Sequence, residues 1–186
     1  MTTQQLKNII NHYKKWKREN PDTWIKHCEN QEELENAITF AALAENHLGK
    51  RNGHQRRLKK LDLEKFAANL IDNKDKIEAA KTFDELLKVV ESCKIKGVGE
   101  LTCYDTANRI GAKLKLKPDL IYLHAGTKKG AEKLLGMKLR DKCIRKVDLP
   151  APFQTDELTP AEIEDILCIY KDRFDKVEIE KIKNCS

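Results

Sequence analysis

The sequence predicts a compact all-α domain built from many short helices. Apolar residues recur at three- and four-residue intervals along most of the chain, which is the pattern of amphipathic helices. Helix-capping residues precede several of these segments. The 186 residues include 8 Gly and 5 Pro, too few for a Pro-rich or collagen-like chain. We expect a single domain over residues 1–186, with a candidate subdomain break near 50–60, where basic turn residues interrupt the periodicity.

The first two helices are predicted at the N-terminal end of the chain. Apolar residues at helical spacing favour a helix over residues 4–18, which Pro21 terminates. Asn30 and Glu33 form a capping-box pattern at the start of the second helix. This second helix is expected to continue until Gly49, a residue typical of helix ends.

Three further helices are predicted in the middle of the chain. Residues 62–72 carry apolar side chains on one helical face. Thr82 and Glu85 form another capping-box pattern, ahead of a helix that continues to Val90. A further helix follows Gly99 and extends to about residue 115.

The C-terminal third mixes one strand-like run with two helices. The apolar run 120–123 resembles a strand, but it is short and isolated, so we expect no sheet. Thr127 is expected to cap a helix that ends at Gly136. The last helix begins with the Thr159-Pro160-x-Glu162 pattern. Its acidic residues between Glu157 and Asp175 form either a solvated face or the partners of a basic segment.

Charge is unevenly distributed along the chain. Lys and Arg number 36 against 30 Asp and Glu, a net charge of +6. Residues 1–60 carry 12 basic and 7 acidic side chains, and residues 91–150 carry 14 and 7. The segments 61–90 and 151–186 are net acidic, with 5 basic against 7 acidic and 5 against 9. Two basic segments favour a partner that carries phosphates.

Several classes of protein are disfavoured by the composition. No apolar run approaches the roughly 20 residues of a membrane helix, and the N-terminus lacks the apolar region of a signal peptide. We therefore expect a cytoplasmic protein that does not contact a membrane. The six cysteines contain no Cys-x-x-Cys pair, so we expect reduced thiols and neither a metal nor another cofactor.

The strongest candidate for a binding site is the Gly-Val-Gly turn at 97–99, between two helical segments. Glycine lets the backbone approach another surface closely, and the first turn of the following helix exposes N–H groups that attract anions. The alternative is a tight turn that only packs. The candidate phosphate-binding residues of this segment are Lys94, Lys96, Gly97, Val98, Gly99 and Arg109.

Two other segments are candidates for contact with nucleic acid. In the basic loop 49–60, six of twelve residues are Lys or Arg, and His54, Gln55, Arg56 and Arg57 are the candidate contacts. At the start of the helix near 125, the candidates are His124, Thr127, Lys128 and Lys129. The alternatives are a solvated loop and an ordinary capped helix. Asp105 and Arg109 are four residues apart and are expected to form an ion pair within one helix.

The segment from Ile95 to Cys103 resembles the helix-hairpin-helix of the DNA glycosylase superfamily, in which Leu-Pro-Gly-Val-Gly-x-x-Thr-Ala is typical. The two hairpin glycines and Thr102 match this pattern, whereas Lys96 replaces the proline. The resemblance covers residues 83–112 and implies contact with the phosphates of one DNA strand without sequence preference. The whole chain also resembles an uncharacterised bacterial protein family, which implies no activity.

The resemblance also implies where catalytic residues of a glycosylase would lie. The lyase lysine of bifunctional members corresponds to Leu101, and the four-cysteine iron–sulfur loop has no counterpart. The essential Asp falls on Asp119 by distance from the hairpin, or on Tyr122 if His124 is aligned. A glycosylase needs a carboxylate beside the anomeric carbon and a pocket for a flipped base. Asp119 and His124 are therefore the candidate catalytic residues.

Together these observations predict a nucleic-acid-binding protein that contacts DNA phosphates. An enzymatic version would be a glycosylase-like hydrolase without the lyase lysine. The alternatives are a non-catalytic DNA-binding module and a helical protein-interaction domain. Oligomeric state is not indicated by the sequence.

Overall fold

The computed structural model describes residues 1–174, which are mostly helical as predicted. The chain forms two compact units. We call residues 22–118 the central unit, and residues 1–21 with 119–174 the terminal unit. The basic loop 49–60 lies inside the central unit. The elements are α1 Thr3–Glu19, α2 Thr23–Glu29, α3 Leu34–Leu43, α4 Lys60–Asp72, α5 Lys74–Ala79, α6 Phe83–Ser92, α7 Glu100–Leu114, β1 Ile121–Tyr122, α8 Ala125–Leu135, β2 Cys143–Ile144, a 3₁₀ turn Lys146–Asp148 and α9 Pro160–Ile169.

Helix α7 lies at the centre of the central unit, where it packs against α2, α3 and α6. Its apolar side chains are fully buried at Cys103, Ala107 and Ile110. Gly111 is required at the end of this helix, because an added Cβ would lie 2.5 Å from the carbonyl oxygen of Leu116. The buried face of α7 therefore forms a large part of the core of this unit.

The region after Pro21 differs from the prediction. Asp22 caps an additional short helix, α2, by accepting hydrogen bonds from the amides of Trp24 and Ile25. Asn30 becomes the C-cap residue of that helix, so the predicted Asn30–Glu33 capping box does not form. Helix α3 begins only after Glu33 and ends before Ala44, which adopts φ +55°. The second predicted helix, which was expected to reach Gly49, is thus shortened to α3, and α2 precedes it as an additional helix.

Three predicted helices of the central unit are confirmed as α4, α6 and α7, and α5 is an addition. The hydroxyl of Thr82 accepts a hydrogen bond from the amide of Glu85, as a helix cap should. In a complete capping box, the Glu85 carboxylate would accept the amide of Thr82. It accepts the amide of the preceding residue, Lys81, instead.

The terminal unit is built on α9, which packs against α8, α1 and β1. The run 120–123 was expected to form no sheet, and this prediction is wrong. Its residues Ile121 and Tyr122 pair antiparallel with Ile144 and Cys143. The pairing partner follows more than twenty residues later in the chain, so a local pattern does not indicate it.

Helix α8 begins differently from the prediction. His124, not Thr127, is the N-cap residue, and it makes no side-chain capping hydrogen bond. Thr127 is buried in the first turn, with its hydroxyl 3.5 Å from the carbonyl oxygen of Glu164. The predicted end is confirmed, since Gly136 terminates the helix with φ +66°.

The start of α9 carries the capping box predicted from the sequence. Thr159 Oγ1 accepts the amide of Glu162, and the Glu162 carboxylate accepts the amide of Thr159. Thr159→Ala removes one of these bonds, and we expect it to lower the free energy of unfolding of the terminal unit by about 1 kcal/mol. Urea unfolding followed by helical circular dichroism measures this change. Thr155→Ala, at an exposed threonine ahead of the helix, serves as the control, and an equal loss in both variants would contradict the capping role.

Acidic residues near α9 pair with lysines of α1. Lys14 Nζ lies 2.7 Å from Glu157 Oε2, and Lys17 Nζ lies 2.9 Å from Asp165 Oδ2. The sequence left open whether these acidic residues form a solvated face or pair with a basic segment. Glu157 and Asp165 pair with a basic segment. Asp175 lies outside the described residues.

The described part of the chain has no helix that combines the length and apolarity needed to cross a membrane. Its five cysteines are all reduced, and Cys28, Cys93 and Cys103 are buried. Burial raises the pKa of the Cys28 thiol to about 12 and that of Cys103 to about 11. These thiols are therefore neutral core side chains. Cys185 lies outside the described residues.

Candidate nucleic-acid interface

The Gly-Val-Gly segment forms a tight turn between α6 and α7. The amide of Val98 donates to the carbonyl of Ile95, and Gly97 has φ +98°. A positive φ at the third residue of such a turn is the type II geometry, which favours glycine. The Val98 side chain is buried and fixes the turn, while the flanking Gly97 and Gly99 are exposed. Val98 is thus an anchor whose amide is already used within the turn, which corrects its prediction as a phosphate contact.

Gly99 is the N-cap residue of α7 and contributes no side chain to cap the helix. The first turn of α7 therefore lacks the capping hydrogen bond that Ser, Thr or Asp would supply. A helix start of this kind attracts an anion through its N–H groups and positive dipole end, and Glu100 in the same turn already places one carboxylate there. An added Cβ at Gly99 would meet no atom within 4 Å among the described residues, so the space beside Gly99 is open.

The basic loop is held in a defined conformation. Asn46 Oδ1 accepts the amides of Leu48 and Lys50, and its Nδ2 donates to Thr23 Oγ1. The indole N–H of Trp24 donates to the carbonyl of Lys50 at 2.8 Å. Further along the loop, the amides of Gln55 and Leu58 donate to the carbonyls of Asn52 and Gln55, so Arg56 and Arg57 extend from a hydrogen-bonded backbone.

The structure brings this loop and the turn to the same side of the central unit. Asp62, in the first turn of α4 directly after the loop, has its Oδ2 3.4 Å from the position of a Cβ on Gly97. His54 Nδ1 lies 3.2 Å from Asp105 Oδ2, on the second turn of α7. The first contact thus joins the start of α4 to the turn, and the second joins the loop to α7. Exposed basic side chains from both segments are Lys94, Lys96, Arg56, Arg57, Lys59 and Lys60.

Asp105 and Arg109 do not form the direct ion pair that their spacing predicts. The amide of Gln55 lies between them: its Nε2 donates to Asp105 Oδ2 at 2.6 Å, and its Oε1 accepts from Arg109 at 3.1 Å. Arg109 also donates to the carbonyl oxygen of Ala41 at 3.2 Å. We call Asp105, Gln55 and Arg109 the buried bridge.

The buried bridge corrects two predicted contacts. Gln55 is fully buried and Arg109 is 4% exposed, so neither side chain reaches a ligand at the surface. They instead hold the loop against α7 and α3. Burial by itself raises the pKa of the Asp105 carboxyl, but hydrogen bonds with His54 and Gln55 and the charge of Arg109 bring this pKa below its usual value. Asp105 is therefore ionised at neutral pH.

Sequence reasoning missed Asp62 and the role of Asp105 as the link to the loop. An acidic residue in the first turn is a common helix-start signal, so Asp62 indicates only where α4 begins. Gln55 lies among basic residues, a context that favours exposure rather than burial. No spacing rule connects residues that are fifty positions apart.

The remaining candidates lie in the terminal unit. Thr127 is 5% exposed, which corrects its prediction as a nucleic-acid contact. Lys129 is exposed and pairs with Asp172 at 3.2 Å, and Lys128 is half-buried. Asp119 is exposed, while His124 is half-buried with its Nε2 atom buried. The glycosidic-bond reaction at Asp119 and His124 stays a prediction.

Two features bear on catalysis and metal binding. Leu101, at the position that corresponds to the lyase lysine, lies in the first turn of α7 and is 38% exposed. Among residues 1–174, no three His, Cys, Asp or Glu side chains form a cluster that could hold a metal ion.

Comparisons of this chain with protein-family models, curated protein sequences and solved structures found no significant match.

Proposed function

We propose that the central unit binds nucleic acid through its phosphates, with α6, the turn at 97–99 and α7 acting as a helix-hairpin-helix. The observation that carries this proposal is the exposed, glycine-capped start of α7 beside an ordered basic loop. Lys94 and Lys96 flank the turn, and Arg56 and Arg57 extend from the loop. The ligand would be a phosphate backbone, because backbone amides and flexible cations recognise phosphates and not base edges.

The contacts that would make this surface specific for phosphates are of two kinds. The start of α7 offers directed N–H groups, which suit an oxyanion at close range. The lysines and arginines act at longer range, by replacing the counterions of the nucleic acid. Binding should therefore be insensitive to base sequence and strongly sensitive to salt.

Asp62 works against this attraction. Its carboxylate lies beside Gly97 and adds a negative charge next to the proposed phosphate position. Removing that charge should strengthen binding, which is the opposite of what loss of folding would do. Tighter binding by Asp62→Asn could therefore not result from partial unfolding of the variant.

The proposal is tested by fluorescence anisotropy with a labelled duplex of random sequence, over a series of salt concentrations. We expect the affinity to fall steeply with salt, and the slope of log K against log salt to decrease by about 2 in Lys94→Ala/Lys96→Ala. Asp62→Asn should bind more tightly than the unmodified protein. Single-stranded DNA is tested in parallel to assign the strand state.

Lys88→Ala is the matched control, because Lys88 is an exposed lysine of α6 that pairs with Asp84 at 2.6 Å. Its salt slope should equal that of the unmodified protein. Circular dichroism establishes that each variant is folded. Salt-independent binding, or no binding at low salt, would overturn the proposal.

A further inference from the structure

His54 occupies the outer end of the buried bridge. Its side chain is 62% exposed, whereas that of Asp105 is only 16% exposed. Behind Asp105 come the buried Gln55 and Arg109, each with a hydrogen bond to the next. The result is a surface imidazole held by a carboxylate that is itself held in place by buried groups.

The arrangement fixes the imidazole on its Nδ1 side. His54 Nδ1 lies 3.2 Å from Asp105 Oδ2, and the amide of His54 donates to Asn52 Oδ1 at 3.0 Å. A carboxylate at this distance accepts Nδ1–H and favours the protonated ring. Both the ring and the backbone of His54 are thus positioned by contacts within the central unit.

We propose that His54 is a proton-controlled phosphate contact of the candidate interface, and that Asp105 is the positioning residue that orients its imidazole and favours its charged form. This inference rests on the proposed nucleic-acid binding and adds its regulation by pH. Protonation adds one positive charge to the basic loop, next to Arg56 and Arg57. Phosphodiesters stay ionised between pH 6 and pH 8, so the change in charge comes from the protein.

The charged groups around His54 act in opposite directions. Asp105 of α7 is in direct contact and favours protonation. Arg109 of the same helix lies behind Gln55, and Arg56 and Arg57 follow His54 in the loop, so these three positive charges oppose it. Further positive charges at Lys59, Lys60, Lys94 and Lys96 come from the start of α4 and from the turn, and Asp62 of α4 supplies a negative charge beside Gly97. Among these groups, the carboxylate of Asp105 is at contact distance, whereas solvent screens the more distant charges.

The experiment measures the affinity of the full chain for the labelled duplex at pH 6.0 and pH 8.0, at fixed ionic strength. We expect binding to be about three- to tenfold tighter at pH 6.0, and the salt slope to be steeper by about 1, as for one additional phosphate contact. His54→Gln should bind with nearly equal affinity at both pH values. His54→Lys, which keeps a positive charge at both, should bind tightly at both.

Asp105→Asn tests the positioning role separately. Without the carboxylate, the midpoint of the binding-against-pH curve should move to lower pH, and so should the titration of the His54 ring followed by NMR. A purely structural role of Asp105 would weaken binding equally at all pH values without moving either midpoint. His47→Gln is the matched control, since His47 is an exposed histidine of the same inter-helix segment, and it should retain the full pH dependence.

The outcomes separate this inference from the proposed function. Salt-sensitive binding that does not change with pH, or a pH dependence that survives in His54→Gln, overturns the inference and leaves the phosphate interface standing. Absence of binding at both pH values overturns both. A pH dependence lost in His54→Gln and shifted in Asp105→Asn supports both.

Discussion

Replacing Gly130 by alanine is expected to lower the free energy of unfolding of the terminal unit by about 3 kcal/mol. An added Cβ at this position would lie 2.0 Å from the carbonyl oxygen of Leu167 and 2.7 Å from its carbonyl carbon. These are backbone atoms of α9, so α8 and α9 must separate to make room. The higher helix propensity of alanine returns only about 1 kcal/mol, which is too little to offset the separation.

Tryptophan fluorescence can follow this unit alone. Trp16 lies in α1 of the terminal unit and Trp24 in α2 of the central unit, and these are the two tryptophans of the chain. In a Trp24→Phe background, urea unfolding of Gly130→Ala reports on the terminal unit through Trp16. Lys129→Ala, on an exposed position of the same helix, should change the unfolding free energy by less than about 0.5 kcal/mol. An unchanged midpoint for Gly130→Ala would refute the close packing of the two helices.

Arg109→Met is expected to destabilise the central unit by about 3 kcal/mol or more. Methionine fills a similar volume but leaves the Asp105 carboxylate without its buried counter-charge. It also removes the two hydrogen bonds that Arg109 donates to Gln55 Oε1 and to the carbonyl oxygen of Ala41. Breaking one partner of a buried charged network costs more than the network contributes, because the remaining groups stay desolvated.

This prediction separates a structural from a binding role of Arg109. In a Trp16→Phe background, urea unfolding followed through Trp24 gives the stability of the central unit, and anisotropy gives the affinity for DNA. Arg57→Met, on an exposed residue of the basic loop, should show the reverse result: weaker binding with stability within about 0.5 kcal/mol of the unmodified protein. Weakened binding without destabilisation in Arg109→Met would place Arg109 at the surface.

The helical class of the fold was predictable because it depends on local chemistry. The spacing of apolar residues in α1, α4, α6 and α7 reflects one buried helix face, a pattern that short windows of sequence contain. Caps at Thr159 and Gly136 act within a single turn, so they were predicted correctly. Where two caps compete, as at Asp22 and Asn30, the periodicity does not decide between them, and the extra helix α2 was missed.

The candidate interface was only partly predictable. The turn at 97–99 was predicted from its two glycines and the helical segments around it. Gly97 adopts a positive φ there, which the glycine spacing does not specify. Arg56 and Arg57 of the loop are exposed, and their contact with nucleic acid stays a prediction. The burial of Gln55 and Arg109 was not predicted, since they resemble surface residues in sequence and become buried only when the loop packs against α7.

The helical class, most helix ends and the glycine turn follow from the amino-acid sequence, because each depends on residues within about one helical turn. Three features appear only in the folded chain: Asp62 lies against Gly97, Gln55 joins Asp105 to Arg109, and β1 pairs with β2. These contacts join residues that are distant along the chain. Their formation depends on how whole helices pack and which polar groups become desolvated, and no local sequence pattern records that packing.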